Sequence, residues 1–565
     1  MKTIRTLLFM VFVCMTTIAQ SKYPQDYFRS PLDIPLVLSG TFGELRTNHF
    51  HSGLDIKTQQ VEGKKVYASA KGFVSRIKIT HWGYGKALYI SHPNGYTSVY
   101  GHLQKFSDKI EAFIKKRQYE KETFEIEVFP MAEELKIEEN EIVAFSGNSG
   151  GSGGPHLHFE LRDKNSRPVN PMFFGIDIKD TKNPTIKDVY AYPIDEGSHI
   201  NGSTKKVKLR LIPLQNGDFT VESMEAFGRI GFGINTIDRQ DLAANSNGVF
   251  NIQTFLNGIK NFELAFNRFS FSESKHLNRL IDYEYYIQNK ERIKKLFVES
   301  NNPLSLYKDV IENGYLTIMD STSYVYKIKV KDYKENEVNI KIPIKGRLNA
   351  ELEPTFVETT PYFVASDQPK TLSKDHVSVY FPKNTFYEDV YLDFDVKADT
   401  LKIQNPEIPL TKNFTINYDI SNYKDPDKNK LFIARINGKK KKYLTYVYSS
   451  RKDNVLTAKS KSLGQYTLAT DTEDPKIIPV NFDDGKWLSK YRYLKVKLSD
   501  DLSGIKNYRA TVNGKWILME FDAKKQLLTY DFNDNVVTDT KNNLKIIVTD
   551  YVGNSATFEA TFFRK

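Results

Sequence analysis

GNSGGSGGPHLHFEL, from Gly147 to Leu161, joins a glycine and serine loop to an alternating polar and apolar run. On a β-strand, His156, His158 and Glu160 share one face, while Leu157, Phe159 and Leu161 point into a core. The strand therefore holds two imidazoles side by side. The glycines before it let the chain enter without crowding the open side, and they let a substrate backbone approach closely. Two same-face imidazoles can reach one centre, although only one of them need bind a metal.

Working outward, the ten histidines lie at 49, 51, 81, 92, 102, 156, 158, 199, 276 and 376, so seven of them fall between 49 and 158. Such clustering points to a site in the first part of the chain. His51-Ser52-Gly53-Leu54-Asp55 supplies a second piece. A straight strand would set residues four apart at about 13 Å, too far for two ligands of one ion, and Gly53 lets the chain bend. An imidazole nitrogen and a carboxylate oxygen suit zinc. His51, Asp55 and His158 make three protein ligands and leave a fourth position open, the arrangement of a catalytic site. Tyr100-Gly101-His102-Leu103 is the third piece. An unligated His102 near such a centre suits a general base, or a group that stabilises charge on an attacked carbonyl.

HSGLD, then YGHL, then SGNSGGSGGPHLHFEL, in that order, resembles the LytM/lysostaphin zinc endopeptidases, peptidase family M23, over residues 35–175. The resemblance implies one zinc per chain on His51, Asp55 and His158. It assigns catalytic roles to His102 and His156, and it places the site in the groove of a small antiparallel β-sheet. The implied activity is hydrolysis of peptide bonds in peptidoglycan. His49 is set aside by the family spacing. His81 and His92 read as strand ends or turns, and His199, His276 and His376 as surface residues. Glu160 reads either as a partner that orients an imidazole or as a solvated strand residue.

The chain has 565 residues, enough for three or four domains. Its aromatic content of 13% and hydrophobic content of 40% favour packed β structure. Residues 1–19 read as a signal peptide. Lys2 and Arg5 precede an apolar run from Leu7 to Met15, and Thr17-Ile18-Ala19 resembles a cleavage site. Cys14, the single cysteine, lies inside that segment, so an exported mature chain is held without disulfides. No later stretch is long and apolar enough for a transmembrane segment. The formal net charge is +11, which favours anionic polymers or surfaces, but no nucleic-acid motif is present. Lys439-Lys440-Lys441-Lys442 follows Asn437-Gly438 and reads as a solvated hairpin turn.

The organisation expected is mainly β. A peptidase domain at 30–175 is interrupted by a charged insertion at 107–140, whose helical first half would narrow the groove. Asp180-Thr181-Lys182-Asn183-Pro184 is echoed by Asp471-Thr472-Glu473-Asp474-Pro475. Asp332-Tyr333-Lys334-Glu335-Asn336 is echoed by Asp550-Tyr551-Val552-Gly553-Asn554. These echoes frame two β-sandwich (Ig-like) modules, 180–346 and 472–565. The first carries a helical stretch near Glu284 to Phe297. A further β-rich module fills 350–470.

The leading functional reading is an exported zinc metalloendopeptidase, periplasmic or released, acting on peptidoglycan. Its β modules would position the enzyme or bind other cell-envelope proteins. Two alternatives stand beside it: a non-catalytic activator of other cell-wall hydrolases, and a surface adhesion or scaffold protein.

Overall fold

A computed structural model describes residues 23–349, 351–352, 359–404, 406–424, 427–438 and 441–565. The leader at 1–19, with Cys14, lies outside the described residues, as do Lys439 and Lys440.

The chain is mainly β. Strand His156–Arg162 lies inside the first sheet, between Leu54–Lys57 and Thr97–Phe106, antiparallel to both. The sheet runs Leu38–Gly40, Leu54–Lys57, His156–Arg162, Thr97–Phe106, Lys86–Ser91, Gly72–Ile79 and Lys136–Ile137. The register sets His158 opposite Asp55 on one side and Gly101 on the other. A one-residue slip would turn both imidazoles into the core. Leu54, Ile56, Leu157 and Phe159 are fully buried, and their burial fixes that register.

The insertion does more than interrupt this sheet. Helix Asp108–Lys121 buries Ile110 and Ile114 completely, with Asp108 and Glu111 in its first turn. The chain then returns through Ile126–Val128 and Lys136–Ile137, and both strands add to the edge strand Gly72–Ile79.

Residues beyond 180 form further sheets. The hydrophobic core runs without a break from Phe28 to Ile344, so the first β module shares a core with the domain before it. Phe42 and Phe50 pack tilted against Phe269 at 5.2 and 5.3 Å between centroids. The helix expected near 284–297 is shorter, Tyr283–Asn289. Lys290 closes it in the left-handed region, and Lys294–Lys295 is a strand. His199, expected at the surface, is buried beside Phe227. Two more cores follow, Val364–Tyr466 and Phe482–Phe562.

The last module does not stand apart. It rests on the insertion helix, where Asp534 accepts from Lys115 at 2.6 Å and from Tyr119 at 2.8 Å, and Tyr119 meets Trp516 edge-on. Glu520 pairs with Lys86 at 2.9 Å. Among the described residues no helix is long and apolar enough to cross a membrane.

Candidate metal centre

Three side chains meet at one point. Nε2 of His51 lies 3.0 Å from Oδ1 of Asp55 and 3.1 Å from Nδ1 of His158, and the last two atoms are 2.9 Å apart. His51 reaches this point because Gly53 lies against the Phe159 carbonyl, where an added Cβ would come within 2.2 Å of the oxygen. Close approach of two backbones is what this glycine permits.

The other atom of each ligand is already committed, which tests whether the group fits a metal. Nδ1 of His51 donates to the Thr41 carbonyl at 2.7 Å, freeing Nε2. Nε2 of His158 donates to Oε1 of Glu160 at 2.8 Å, freeing Nδ1. The Arg46 guanidinium holds Oδ2 of Asp55, freeing Oδ1. Two imidazole nitrogens and one carboxylate oxygen thus face each other, and each would offer a lone pair to an ion on giving up its proton. That donor set suits zinc at about 2.0–2.1 Å from each atom. Burial pushes the Asp55 carboxyl up, but His51 and the hydrogen bonds from three histidines hold it well below the usual range. Burial lowers His51. Burial also lowers His158, yet its bonds to Asp55 and Glu160 outweigh that and raise it to about 9.

Glu160 is fully buried and is no solvated strand residue. It accepts from His158, Ser52, Tyr84 and Arg162. Glu160→Gln should weaken zinc affinity about 10–100-fold in a chelator competition titration. Unchanged affinity would show that the carboxylate does not tune His158.

The remaining two histidines flank the three donors. The His102 ring lies 4.8 Å from that of His156 and 5.9 Å from that of His158. Nδ1 of His102 donates to the Ser149 carbonyl at 2.8 Å, and Nδ1 of His156 to the Gly154 carbonyl at 2.9 Å. Both rings are therefore oriented by the glycine loop, with Nε2 free of these carbonyls. Nε2 of His156 is 3.4 Å from Oδ1 of Asp55. Burial, then the neighbouring His158 and His156, push His102 down to about 3. His49 is exposed and turns to Thr47.

The loop itself divides in two. An added Cβ at Gly147 would strike Gln104, and one at Gly150 would strike Gly85, whereas Gly153 and Gly154 face open space. The last module grips the packed half, with Lys524 donating to the carbonyls of Asn148 and Ser152. Lys524→Ala should lower kcat about tenfold with zinc content unchanged, because the loop that aims His102 and His156 loosens. An unaltered kcat would make this contact incidental.

Arg46, Ser52, Tyr84 and Lys524 were not legible as site residues. The one available signal was Gly83-Tyr84-Gly85, whose glycines both take a positive φ of 62° and seat Tyr84 beside Glu160.

Residues 49–119 match peptidase family M23, and residues 361–471 match a Zu5-like domain. His51, Asp55 and His102 fall inside the first stretch; His156 and His158 lie beyond it. The chain is 34% identical over 128 residues to the DD-carboxypeptidase/endopeptidase Mpg of Neisseria meningitidis serogroup B, covering 23% of each chain. It is 30% identical over 150 residues to the peptidoglycan DD-endopeptidase ShyA of Vibrio cholerae serotype O1, covering 26% of this chain and 29% of that one. The match spans less than a third of either relative. The catalytic domain of the prophage-encoded M23 protein EnpA from Enterococcus faecalis aligns at 25% identity over 27% of this chain and 97% of that domain. Its TM-score of 0.19 is too low to carry weight. The chain thus contains an M23 peptidase domain followed by several β-rich modules, one of them Zu5-like.

Proposed function

We propose that this protein is an exported zinc metalloendopeptidase that cleaves peptide bonds in peptidoglycan. The observation that carries the reading is the convergence of His51 Nε2, Asp55 Oδ1 and His158 Nδ1 within 3.1 Å of one another, with two further imidazoles alongside. The relatives named above support the substrate class.

His51, Asp55 and His158 would hold the zinc. Bound there, zinc would polarise a scissile carbonyl and lower the pKa of water toward about 7. The protein's own groups do the rest. His102 is kept neutral by burial, and its Nε2 has a lone pair to take a proton. His156 lies beside the three donors, and once its Nε2 carries a proton it can steady negative charge or pass that proton to the leaving amine. The open glycines Gly153 and Gly154 border the strand where an extended peptide would lie.

The test is digestion of purified peptidoglycan by the zinc-loaded full chain, with new amino ends identified by mass spectrometry. Release of new peptide amino ends is expected, and it stops when a chelator removes the metal. No cleavage by fully zinc-loaded protein would exclude the reading and favour a non-catalytic role.

A further inference from the structure

The echoed boundary motifs bring acidic residues together at a second place. Asp180 opens the first β module, Asp332 lies at its closing hairpin, and Asp238 ends its long strand Met224–Ile237. Each offers a carboxylate oxygen, and these oxygens all lie within 4.8 Å of one another. Asp238 and Asp332 are each 2% exposed. The nearby ammonium groups are turned elsewhere. Lys334 pairs with Asp177, and Lys182 donates to the Gln240 backbone carbonyl at 3.3 Å.

A second observation is independent of the carboxylates. Asp180 and Asp238 line a cavity of about 20 Å³ together with Gln240, Thr41, Asn170 and Tyr333. Gln240 is 4% exposed, and its side-chain oxygen Oε1 has no hydrogen-bond partner; Oδ1 of Asp238 has none either. A buried oxygen with no donor costs stability. Two such oxygens around a cavity the size of one small sphere are what a bound cation would satisfy. Burial, and then the charges of Asp180 and Asp332, push the Asp238 carboxyl up to about 8.

We propose that Asp180, Asp238 and Asp332, with the side-chain oxygen of Gln240, form a calcium site at the seam between the peptidase domain and the first β module. The donors are all hard oxygens, which select calcium or magnesium over zinc. Magnesium demands near-ideal octahedral geometry, whereas calcium accepts an irregular set of oxygens such as this one. The chain builds the same frame twice. Asn336 bonds the Asp180 carbonyl and Oδ2 of Asp332, as Asn554 bonds the Asp471 carbonyl and Oδ2 of Asp550. Asp471, Asp500 and Asp550 again lie within 4.8 Å. Backbone N–H groups bond two carboxylates at each place, those of Lys182 and Asn336 on Asp180 and Asp332 and those of Ser503 and Gly504 on Asp471 and Asp500. The first place differs in that Oδ1 of Asp238 and Oε1 of Gln240 are left without a partner.

The position gives the site a consequence. Thr41, in the cavity wall, bonds Gly248 of the β module through its hydroxyl, and its carbonyl orients His51. A cation in this seam would fix the module against the loop that carries a ligand of the first centre.

The test uses the full chain, stripped with EDTA, reloaded with one equivalent of zinc, and titrated with calcium chloride by calorimetry and thermal unfolding. Calcium at about a hundredfold excess over its dissociation constant should raise the unfolding midpoint by about 5 °C or more, and magnesium at that concentration by less. Asp238→Asn should lose one calcium equivalent and the rise. Its midpoint without calcium should equal or exceed that of the parent, because a repelled carboxylate has gone. Gln240→Ala, which keeps all three carboxylates, should weaken calcium binding at least about tenfold and serves as the reading if the first variant does not fold. Failure of the parent to bind calcium would overturn the site. So would undiminished binding in either variant, or a lower calcium-free midpoint for Asp238→Asn.

Discussion

Replacing His158 with alanine is expected to strip the protein of zinc and, with it, of measurable peptidoglycan hydrolysis. The parent should carry about one zinc per chain by elemental analysis. His158 supplies one of only three donors, and its second nitrogen is held by a fully buried carboxylate, so its loss leaves two donors. The fold should survive. The strand is anchored by Leu157, Phe159 and Leu161 on its other face, and Glu160 keeps Ser52, Tyr84 and Arg162 as donors. Asp55→Ala should lose the metal too, but less cleanly, because it also leaves the Arg46 guanidinium without a main partner. A His158→Ala protein that retained a full equivalent of zinc would remove His158 from the ligand set and sink the proposed centre.

Much of this arrangement was legible because period-two alternation is a strong local signal. The run His156 to Leu161 declared its strand and both of its faces, and the clustering of histidines declared the region. Spacing was less informative at His51 and Asp55. Four residues of straight strand separate two side chains too widely, and only the approach of Gly53 to the Phe159 carbonyl brings them together. The insertion was read as a wall for the groove. Its helix also carries the last module, through Lys115 and Tyr119 on Asp534. Nothing in a charged amphipathic segment says which distant surface it meets. The same limit hid the shared core. Phe42 and Phe50 look like ordinary interior residues of a small sheet, yet they pack against Phe269 from the next module. Contacts between residues so far apart in the chain leave no periodic trace in either segment. The aspartate echoes were visible as punctuation between modules; that three carboxylates converge at each place emerged only in three dimensions.

Substitution of His102 or His156 should separate catalysis from metal binding. Neither ring is among the three converging donors, so each variant should keep about one zinc per chain. Proton transfer by a positioned imidazole contributes about 10²–10⁴-fold in rate, and loss of one group that stabilises an oxyanion costs about 10²–10³-fold. A fall in kcat of at least about 10² is therefore expected for each variant, with KM changed far less. The choice of replacement matters at His102. Its backbone takes φ 58° and its N–H donates to the Tyr84 carbonyl, a left-handed conformation that costs an ordinary residue about 1–2 kcal/mol. Alanine there would mix strain with loss of the imidazole. His102→Asn is the cleaner test, since asparagine visits that region readily. His156 carries no such strain, and His156→Ala is suitable. Its Nδ1 bonds only the loop, through Gly154 and Ser152. An unfolding midpoint within a few degrees of the parent, with full zinc and kcat down by two orders of magnitude, is the expected result for both. A His156→Ala protein with parental kcat would remove His156 from the catalytic groups, and one that lost its zinc would mean that the two histidines of the strand have been assigned the wrong way round. A His102→Asn protein that lost its zinc would make His102 a ligand and leave the proton without an acceptor.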